Sequence, residues 1–409
     1  MNLWVINQFA ASRKYSTGAG ERHFYLAQEY LNKNIETTIF SGSYNHLFQN
    51  YPKFKGRSLL EIEEGIRFCW VKVPKYKPES AIGRILSWFW FTFNLFFIRK
   101  TNLPTPAIIL VSSMSMFPIL YALFYKINNP SVKLIFEIRD IWPLTLLEMG
   151  TVSRFNPVVV FMKIVEKAAY RYSNLIVSVL PMAYKHINKV AKREVDFTWI
   201  PNGISLKLET ENKLPDSLKH LFPKDKFVIT YAGAIGPANA MEFFAEAIEK
   251  LENESKYHIN IIGEGPEKNK IMDRLKEKSF VHFIKRIKKE EVQAYLKKSD
   301  LLYIGWRNKS LYKYGVAANK YNDYMLAKKP ILSSSSFPND IVSLANCGKV
   351  VASESPVAIK QGIEYFYNLH NNEITKLGNN GYEYLMNNRL YKILANQYLN
   401  CFNRLLKND

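Results

Sequence analysis

The sequence predicts an α/β protein of two doubly wound domains. Three observations lead there. Short apolar runs bounded by turn residues alternate with amphipathic helical stretches, the rhythm of parallel strands joined by crossover helices. The rhythm pauses at the stretch FTWIPNGI (197–204) and restarts at Phe227. A length of 409 residues also exceeds what one ordinary core supports.

Taken in order, Leu3–Phe9 reads as a strand. A loop with Gly18 and Gly20 follows, then a helix over Glu21–Lys33 and a strand over Glu36–Gly42. Further strands are expected at Ala107–Ser113, Lys133–Asp140 and Leu175–Leu180, with a long helix from Val158 to Ser173. The second half repeats the pattern. Strands are expected at Phe227–Gly236, His258–Gly265, Val281–Arg286, Leu301–Trp306 and Pro330–Ser334, and helices at Ala240–Leu251, Pro266–Lys278, Lys289–Ser299 and from Ala317. The tail, Tyr382–Leu406, has a helical pattern. The expected domains are therefore 1–197 and 198–381, with 382–409 a helix crossing back onto the first. In such sheets ligands bind at the carboxyl ends of the strands, here in a cleft between two facing domains.

Composition narrows the partners. Lys and Arg number 56 against 36 Asp and Glu, a net charge of +20 that suits anionic ligands or an anionic membrane face. The three cysteines, Cys69, Cys347 and Cys401, have no metal-binding spacing and fit a reducing compartment. Asn2–Ile6 enters a strand directly, with no basic stretch ahead of an apolar one, so no signal peptide is read. Ala107–Tyr125 is uncharged but divides at Ser112-Ser113 and Pro118 into a strand and a helix. Ile85–Ile98 is too short to span a bilayer. It crowds Trp88, Phe89, Trp90, Phe91, Phe93, Phe96 and Phe97 between Arg84 and Arg99-Lys100. It reads either as a core helix or as a helix dipping into an anionic membrane.

Glycine turns mark the candidate ligand site. Gly18-Ala19-Gly20, Gly233 and Gly236 in YAGAIG, and Gly263 and Gly265 in IIGEGPE all follow strands, where glycine lets backbone approach a phosphate and a helix start offers N–H groups. Each alone is equally an ordinary tight turn, and no third glycine completes a dinucleotide fingerprint. Glu137, Arg139 and Asp140 end a strand, facing the cleft or paired within the strand, with Asp140 furthest toward the loop. Asn319, Lys320 and Asp323 open the helix after Ala317. A lysine there opposes the helix dipole unless an anion is bound; otherwise Lys320 is solvated, with Asp323 pairing to a nearby base such as Lys320 itself at i, i+3. No Asp-X-Asp pair, His/Cys cluster, nucleophile elbow or phosphate-loop lysine is present.

In order and spacing, TGAGERHFYLAQEYL, FEIRDIWP, IPNGI, YAGAIG, IIGEGPE, VHFIKRIKKEEVQAYLKKSDLLYI and NKYNDYMLAKKPIL resemble the retaining glycosyltransferases of family 4, of the GT-B type with two Rossmann-like domains, and within them the bacterial surface-polysaccharide (O-antigen and capsule) branch. The resemblance covers nearly the whole chain. It implies a UDP- or GDP-linked sugar donor on the second domain and no metal or other cofactor. The diphosphate would lie by Gly233, Gly236, Gly263, Gly265, Asn319 and Lys320, the ribose by Asp323, and the base by Arg286 and Ile287. The acceptor would approach Gly18, Gly20 and Asp140, with Asp140 and Lys320 as the catalytic pair.

Two departures stand out. Many members carry paired glutamates around the donor helix, where this chain has Gly315 and Asp323. Many carry an Arg and a Lys after the first strand of the second domain, where this chain has Ala234 and, approximately, Asn239.

The expected function is transfer of a hexose or hexosamine to a lipid-linked glycan, with the protein cytoplasmic and peripheral on the inner face of the plasma membrane and with no nucleic-acid partner. A sugar-nucleotide epimerase of the same fold, or a non-catalytic carbohydrate- or membrane-binding scaffold, are the alternatives.

Overall fold

The computed structural model describes residues 1–16, 18, 20–46, 48–77, 80–150, 152–206 and 214–407. The chain forms two units, Met1–Asn202 with Tyr391–Asp409, and Gly203–Leu390.

The first unit is built on one sheet of β1 (Asn2–Ile6), β2 (Glu36–Gly42), β3 (Ser58–Glu63), β4 (Ile66–Val71), β5 (Ile108–Ser112), β6 (Lys133–Ile138), β7 (Leu175–Ser178) and β8 (Phe197–Trp199). The spatial order is β3-β4-β2-β1-β5-β6-β7-β8, parallel throughout except β3 against β4. Its helices are α1 (Arg22–Leu31), α2 (Ala81–Phe97), α3 (Pro118–Asn128), α4 (Leu144–Glu148), α5 (Pro157–Tyr172) and α6 (Ala183–Ala191). Leu3, Trp4, Val5 and Ile6 are all buried, as a central strand covered on both faces requires.

The second unit carries β9 (Phe227–Ala232), β10 (Tyr257–Ile262), β11 (Val281–Ile284), β12 (Leu301–Gly305), β13 (Ile331–Ser334) and β14 (Gly348–Val351), all parallel, in the order β11-β10-β9-β12-β13-β14. Around them lie α7 (Met241–Glu249), α8 (Lys268–Leu275), α9 (Val292–Leu296), α10 (Asn319–Leu326), α11 (Ile341–Leu344), α12 (Pro356–Tyr367) and α13 (Asn371–Asn388). A last helix, α14 (Tyr391–Lys407), belongs to the first unit. Strand order reverses between β1 and β5 in one sheet and between β9 and β12 in the other, and at such a switch point the loops diverge and leave a crevice.

The tail is corrected by the structure. It is two helices rather than one from Tyr382. The Ile204 N–H donates to the Arg389 carbonyl at 2.9 Å, and Ile204 bridges to Leu390 in strand fashion, so the backbone at 389–390 leaves the helix. The entering and leaving segments of the second unit thus pair with each other. The divisions fall after Asn202 and Leu390 instead of after residues 197 and 381. The β3–β4 hairpin, α6, α12 and β14 carry no expectation above. In β3 the exposed positions are apolar, Leu60 and Ile62, while Glu61 and Glu63 are half-buried, which inverts the alternation a half-buried strand would show.

α14 is tied to the first unit by a buried polar cluster. The Glu137 carboxylate accepts from Arg22 Nε at 3.0 Å, from the Ser112 hydroxyl at 2.6 Å, from His23 Nε2 at 2.9 Å and from the Tyr398 hydroxyl. Arg22 also donates to the carbonyls of Pro201 (2.5 Å) and Ile200 (3.0 Å). Burial alone would raise the Glu137 carboxyl, but the Arg22 guanidinium and His23 prevail and hold it well below its ordinary value. Burial keeps His23 neutral-leaning, below the usual imidazole value, with Asn7 Nδ2 donating to its Nδ1 at 3.1 Å. Glu137 is therefore bound to Arg22 in the core, not paired within its strand to Arg139.

Candidate functional site

Beside the switch point of the second sheet, the turns after β9 and β10 are stapled to the strand ends next to them. Gly233 N donates to the Ile262 carbonyl (2.9 Å), Ile235 N to the Glu264 carbonyl (2.9 Å), and Gly263 N to the Ile284 carbonyl (3.0 Å). Two glycines permit this approach. A Cβ on Gly263 would lie 1.8 Å from the Gly233 carbonyl oxygen, and one on Gly265 would lie 2.1 Å from that of Ile235. Gly236 differs, since its nearest neighbour to a Cβ would be Pro266 Cδ at 3.8 Å, so packing does not demand glycine there.

Helix α10 is fixed against these turns by Tyr324, whose hydroxyl accepts from Ala232 N (2.9 Å) and donates to the Tyr303 carbonyl (3.0 Å). No side chain caps the start of α10. Lys320, in its first turn, lies along the Gly233 turn, where a Cβ would meet Lys320 Cε at 2.1 Å. Its Nζ donates to the Tyr231 hydroxyl and to Asn239 Oδ1, both at 2.7 Å, and sits 4.4 Å from the Tyr231 ring centroid. Burial pushes this ammonium down to about 7. A lysine carries three N–H donors, and among the described residues two are taken by neutral partners.

Asp323 lies one turn along and is ion-paired to Lys289, not to Lys320, while its backbone carbonyl accepts from Gln293 at 3.0 Å. Lys320 is half-buried and engaged with Tyr231 and Asn239 instead of with Asp323 at i, i+3. Asn319 and Arg286 are exposed, and Ile287 packs against the cluster of Leu214, Ile262 and Tyr295. Lys268 is paired to Glu264 at 2.7 Å. Gly315 has φ +96° and ψ 173°, a region open essentially to glycine alone, so this backbone disfavours a glutamate at that position.

In the first unit Gly18 and Gly20 lie in the loop after β1, with φ of +89° and +84°, and Ala19 between them is outside the described residues. A Cβ on Gly20 would be 2.6 Å from the Phe9 carbonyl oxygen. Asp140 follows β6 and is exposed, yet the protein around it raises its carboxyl above the ordinary value, Arg139 pulling the other way. The structure thus brings Gly233 and Lys320 together at the end of β9, with Gly263 and Gly265 in the adjoining turn after β10, and leaves Gly18, Gly20 and Asp140 on the other unit. Sequence reasoning gave Tyr231 no role and treated Asn239 as a missing cation. The signal for both was proximity to the β9 turn, which only the fold converts into contact with Lys320.

Residues 226–368 match the family model described as Glycosyl transferases group 1. No curated protein matches the chain. Among solved structures, sucrose-phosphate synthase from Thermosynechococcus elongatus aligns over 100% of both chains at 16% identity with a TM-score of 0.74. Anabaena HepE, in complex with UDP and glucose, aligns over 99% of this chain and 100% of its own at 11% identity with a TM-score of 0.67. WaaG, a glycosyltransferase involved in lipopolysaccharide biosynthesis, aligns over 98% of this chain and 99% of its own at 13% identity with a TM-score of 0.65. The chain therefore has the GT-B glycosyltransferase fold, and its second unit carries the region that matches the group 1 glycosyl transferases.

Proposed function

We propose that the protein transfers a hexosyl or hexosaminyl group from a UDP- or GDP-linked donor to a lipid-linked surface-polysaccharide acceptor, with retention of configuration and without a metal ion. The observation that carries this reading is Lys320, held against the Gly233 turn at the switch point of a sheet whose sequence matches the group 1 glycosyl transferases. In the reaction the sugar C1–O bond to the diphosphate breaks and a bond from C1 to the acceptor oxygen forms. The acceptor proton passes to the leaving phosphate. Lys320 and the open N–H groups of α10, with Asn319 at its start, receive the negative charge that grows on the diphosphate. Gly233, Gly236, Gly263 and Gly265 let the diphosphate approach backbone, Asp323 accepts from the ribose hydroxyls, and Arg286 and Ile287 border the base. Asp140, with Gly18 and Gly20, orients the acceptor hydroxyl. That HepE was solved with UDP supports the donor class.

Membrane association rests on a separate observation in the first unit. Helices α2, α3 and α5, with the turn that leads into α5, expose one apolar surface, with Trp90 at 53%, Phe93 at 50%, Ile127 at 77% and, in that turn, Phe155 at 75% relative exposure. The rings are continuous: Phe89 stacks 6.0 Å from Phe161 of α5, and Phe96 lies 5.5 Å from Phe124 of α3. Only Trp88, Phe91 and Leu95 of the apolar α2 side chains turn fully inward. Arg57 over Phe97, Arg154 over Phe155, and the exposed Arg99 and Lys163 border the surface with positive charge, which suits anionic lipid. No helix among the described residues is long and apolar enough to cross a membrane.

The function is tested by release of nucleoside diphosphate from a panel of sugar nucleotides, with and without lipid-linked acceptor extract. Acceptor-dependent release is expected, and Asp140→Asn should lower it far more than donor binding. Acceptor-independent conversion of the donor would favour an epimerase; no turnover of any donor would leave a scaffold. Flotation with liposomes should require anionic lipid and be lost in Trp90→Ser/Phe93→Ser.

A further inference from the structure

Lys320 lies along the Gly233 turn, and the two groups that hold its amine are neutral. Its aliphatic chain runs past Gly233, and its Nζ ends between Tyr231 Oη and Asn239 Oδ1. The Tyr231 hydroxyl spends its own proton on the Ala234 carbonyl, so its oxygen is left to accept from the lysine. Asn239 closes the short turn Pro237–Asn239, with its N–H on the Gly236 carbonyl at 2.9 Å. The next residue, Ala240, is buried and sits at φ +50°, ψ +38°, a left-handed conformation uncommon for a residue with a Cβ. The turn that presents Asn239 to Lys320 is therefore imposed by the surrounding packing.

Several charged groups on neighbouring elements pair with each other rather than with Lys320; beside the Asn239 turn, Glu242 is paired to Arg307, which also donates to the Pro237 carbonyl. On the helix itself Asp323 is paired to Lys289, which precedes α9. At the β10 turn Glu264 is paired to Lys268. The titratable hydroxyls on β9 and α10, Tyr231, Tyr321 and Tyr324, are all held above their ordinary values by burial and stay neutral near pH 7. Among the described residues Lys320 has no carboxylate partner.

We propose that Asn239 is a positioning residue for Lys320: with Tyr231 it holds the amine beside the diphosphate site through neutral acceptors only, so that the lysine takes up its proton together with the donor's diphosphate. This inference rests on the donor-site reading above. With no anion present, burial leaves the ammonium at about 7. A diphosphate brought within hydrogen-bond reach adds an attractive charge and raises that value. Proton uptake on binding is then confined to the pH window between the free and bound values. At pH 8 the free amine is roughly one-tenth protonated, and binding takes up close to one proton, roughly 0.9. At pH 6 the amine is already charged and the lysine takes up little. A terminal phosphate with a second pKa near 6 is already ionised at pH 8, so it contributes little at the upper pH.

The test is calorimetric titration of UDP and GDP into the full chain at pH 8, in two buffers of different ionisation enthalpy, which counts protons directly. Uptake near one proton is expected for the parent. Asn239→Asp supplies a fixed carboxylate that keeps Lys320 charged before binding, so nucleotide should bind with uptake reduced several-fold. Lys320→Arg carries a permanent charge and should bind with none; it serves if Asn239→Asp does not fold. Binding by the parent without proton uptake, or parental uptake in Lys320→Arg, overturns the inference and leaves the donor site standing. Binding of neither nucleotide removes the donor-site reading, and this inference with it.

Discussion

Replacing Gly263 by alanine tests the architecture of the donor site without touching a charge. The added Cβ would lie 1.8 Å from the Gly233 carbonyl oxygen and 2.9 Å from its carbon, whereas ordinary contact begins at 3.4 Å. The two turns must therefore separate by about 1.6 Å, the difference between 3.4 and 1.8 Å. Such a shift strains two backbone hydrogen bonds, Gly233 N to Ile262 O and Gly263 N to Ile284 O, each worth about 1 kcal/mol. The φ of +147° adds about 1 kcal/mol for a residue with a Cβ. The sum, about 3 kcal/mol, lies at the upper end of ordinary overpacking penalties. At 2–4 °C per kcal/mol for a unit of this size, the second unit should melt roughly 6–12 °C lower. Because the Gly233 turn also borders the Lys320 side chain, nucleoside diphosphate affinity should fall with it. Differential scanning calorimetry and nucleotide titration read the two effects. Gly236→Ala is the internal control, since its Cβ has nothing closer than 3.8 Å and its φ is −140°; it should stay within about 0.5 kcal/mol of the parent. A Gly263→Ala protein that melts within 2 °C of the parent, roughly the shift of a sub-kcal/mol change, and binds nucleotide normally would refute the reasoning.

Lys320→Ala should lower kcat more than it raises KM, because charge on the leaving diphosphate grows in the transition state, whereas Asp323→Asn should mainly weaken nucleotide binding. Steady-state kinetics beside calorimetry separate the two, and equal effects on both parameters would contradict the assignment. In the first unit, Arg22→Met leaves Glu137 charged and buried without its partner, and urea unfolding should show a loss of about 3–5 kcal/mol. His258 and His282 stack 4.2 Å apart in the second unit. Burial, with His282 adding repulsion, holds His258 down to about 4, and burial lowers His282 as well. The unfolded chain binds these protons near pH 6.5 and the folded chain does not, so stability is full above 6.5 and declines as pH falls toward 4. At pH 5 the His258 share is about 2 kcal/mol if water were wholly excluded, and about 1 kcal/mol after screening. Urea midpoints at pH 7 and 5 measure it, and His258→Gln should flatten the difference.

The sequence by itself determined the two α/β units, because strand and helix periodicity are local properties that survive without tertiary contacts. It also determined where the glycine turns fall, since Gly233, Gly263 and Gly265 stand at strand ends in any such fold. The tertiary structure alone decided which residues meet. Lys320 and Asn239 are far apart in the chain, and only the adjacency of β9 and α10 turns Asn239 from an absent cation into an acceptor for Lys320. Asp323 finds its partner across to Lys289 rather than one turn back, because the lysine on its own helix is drawn off by Tyr231 and Asn239. The break at Arg389-Leu390 likewise has no helix-breaking glycine or proline to announce it; the pairing of Ile204 with Leu390 sets it. The aromatic crowding of α2 was visible as composition, but which rings turn inward, and that α3 and α5 extend the exposed ones into one surface, depends on packing between helices remote in sequence. Local chemistry fixes elements, whereas side-chain partners depend on distances that a chain acquires only once its sheets have closed.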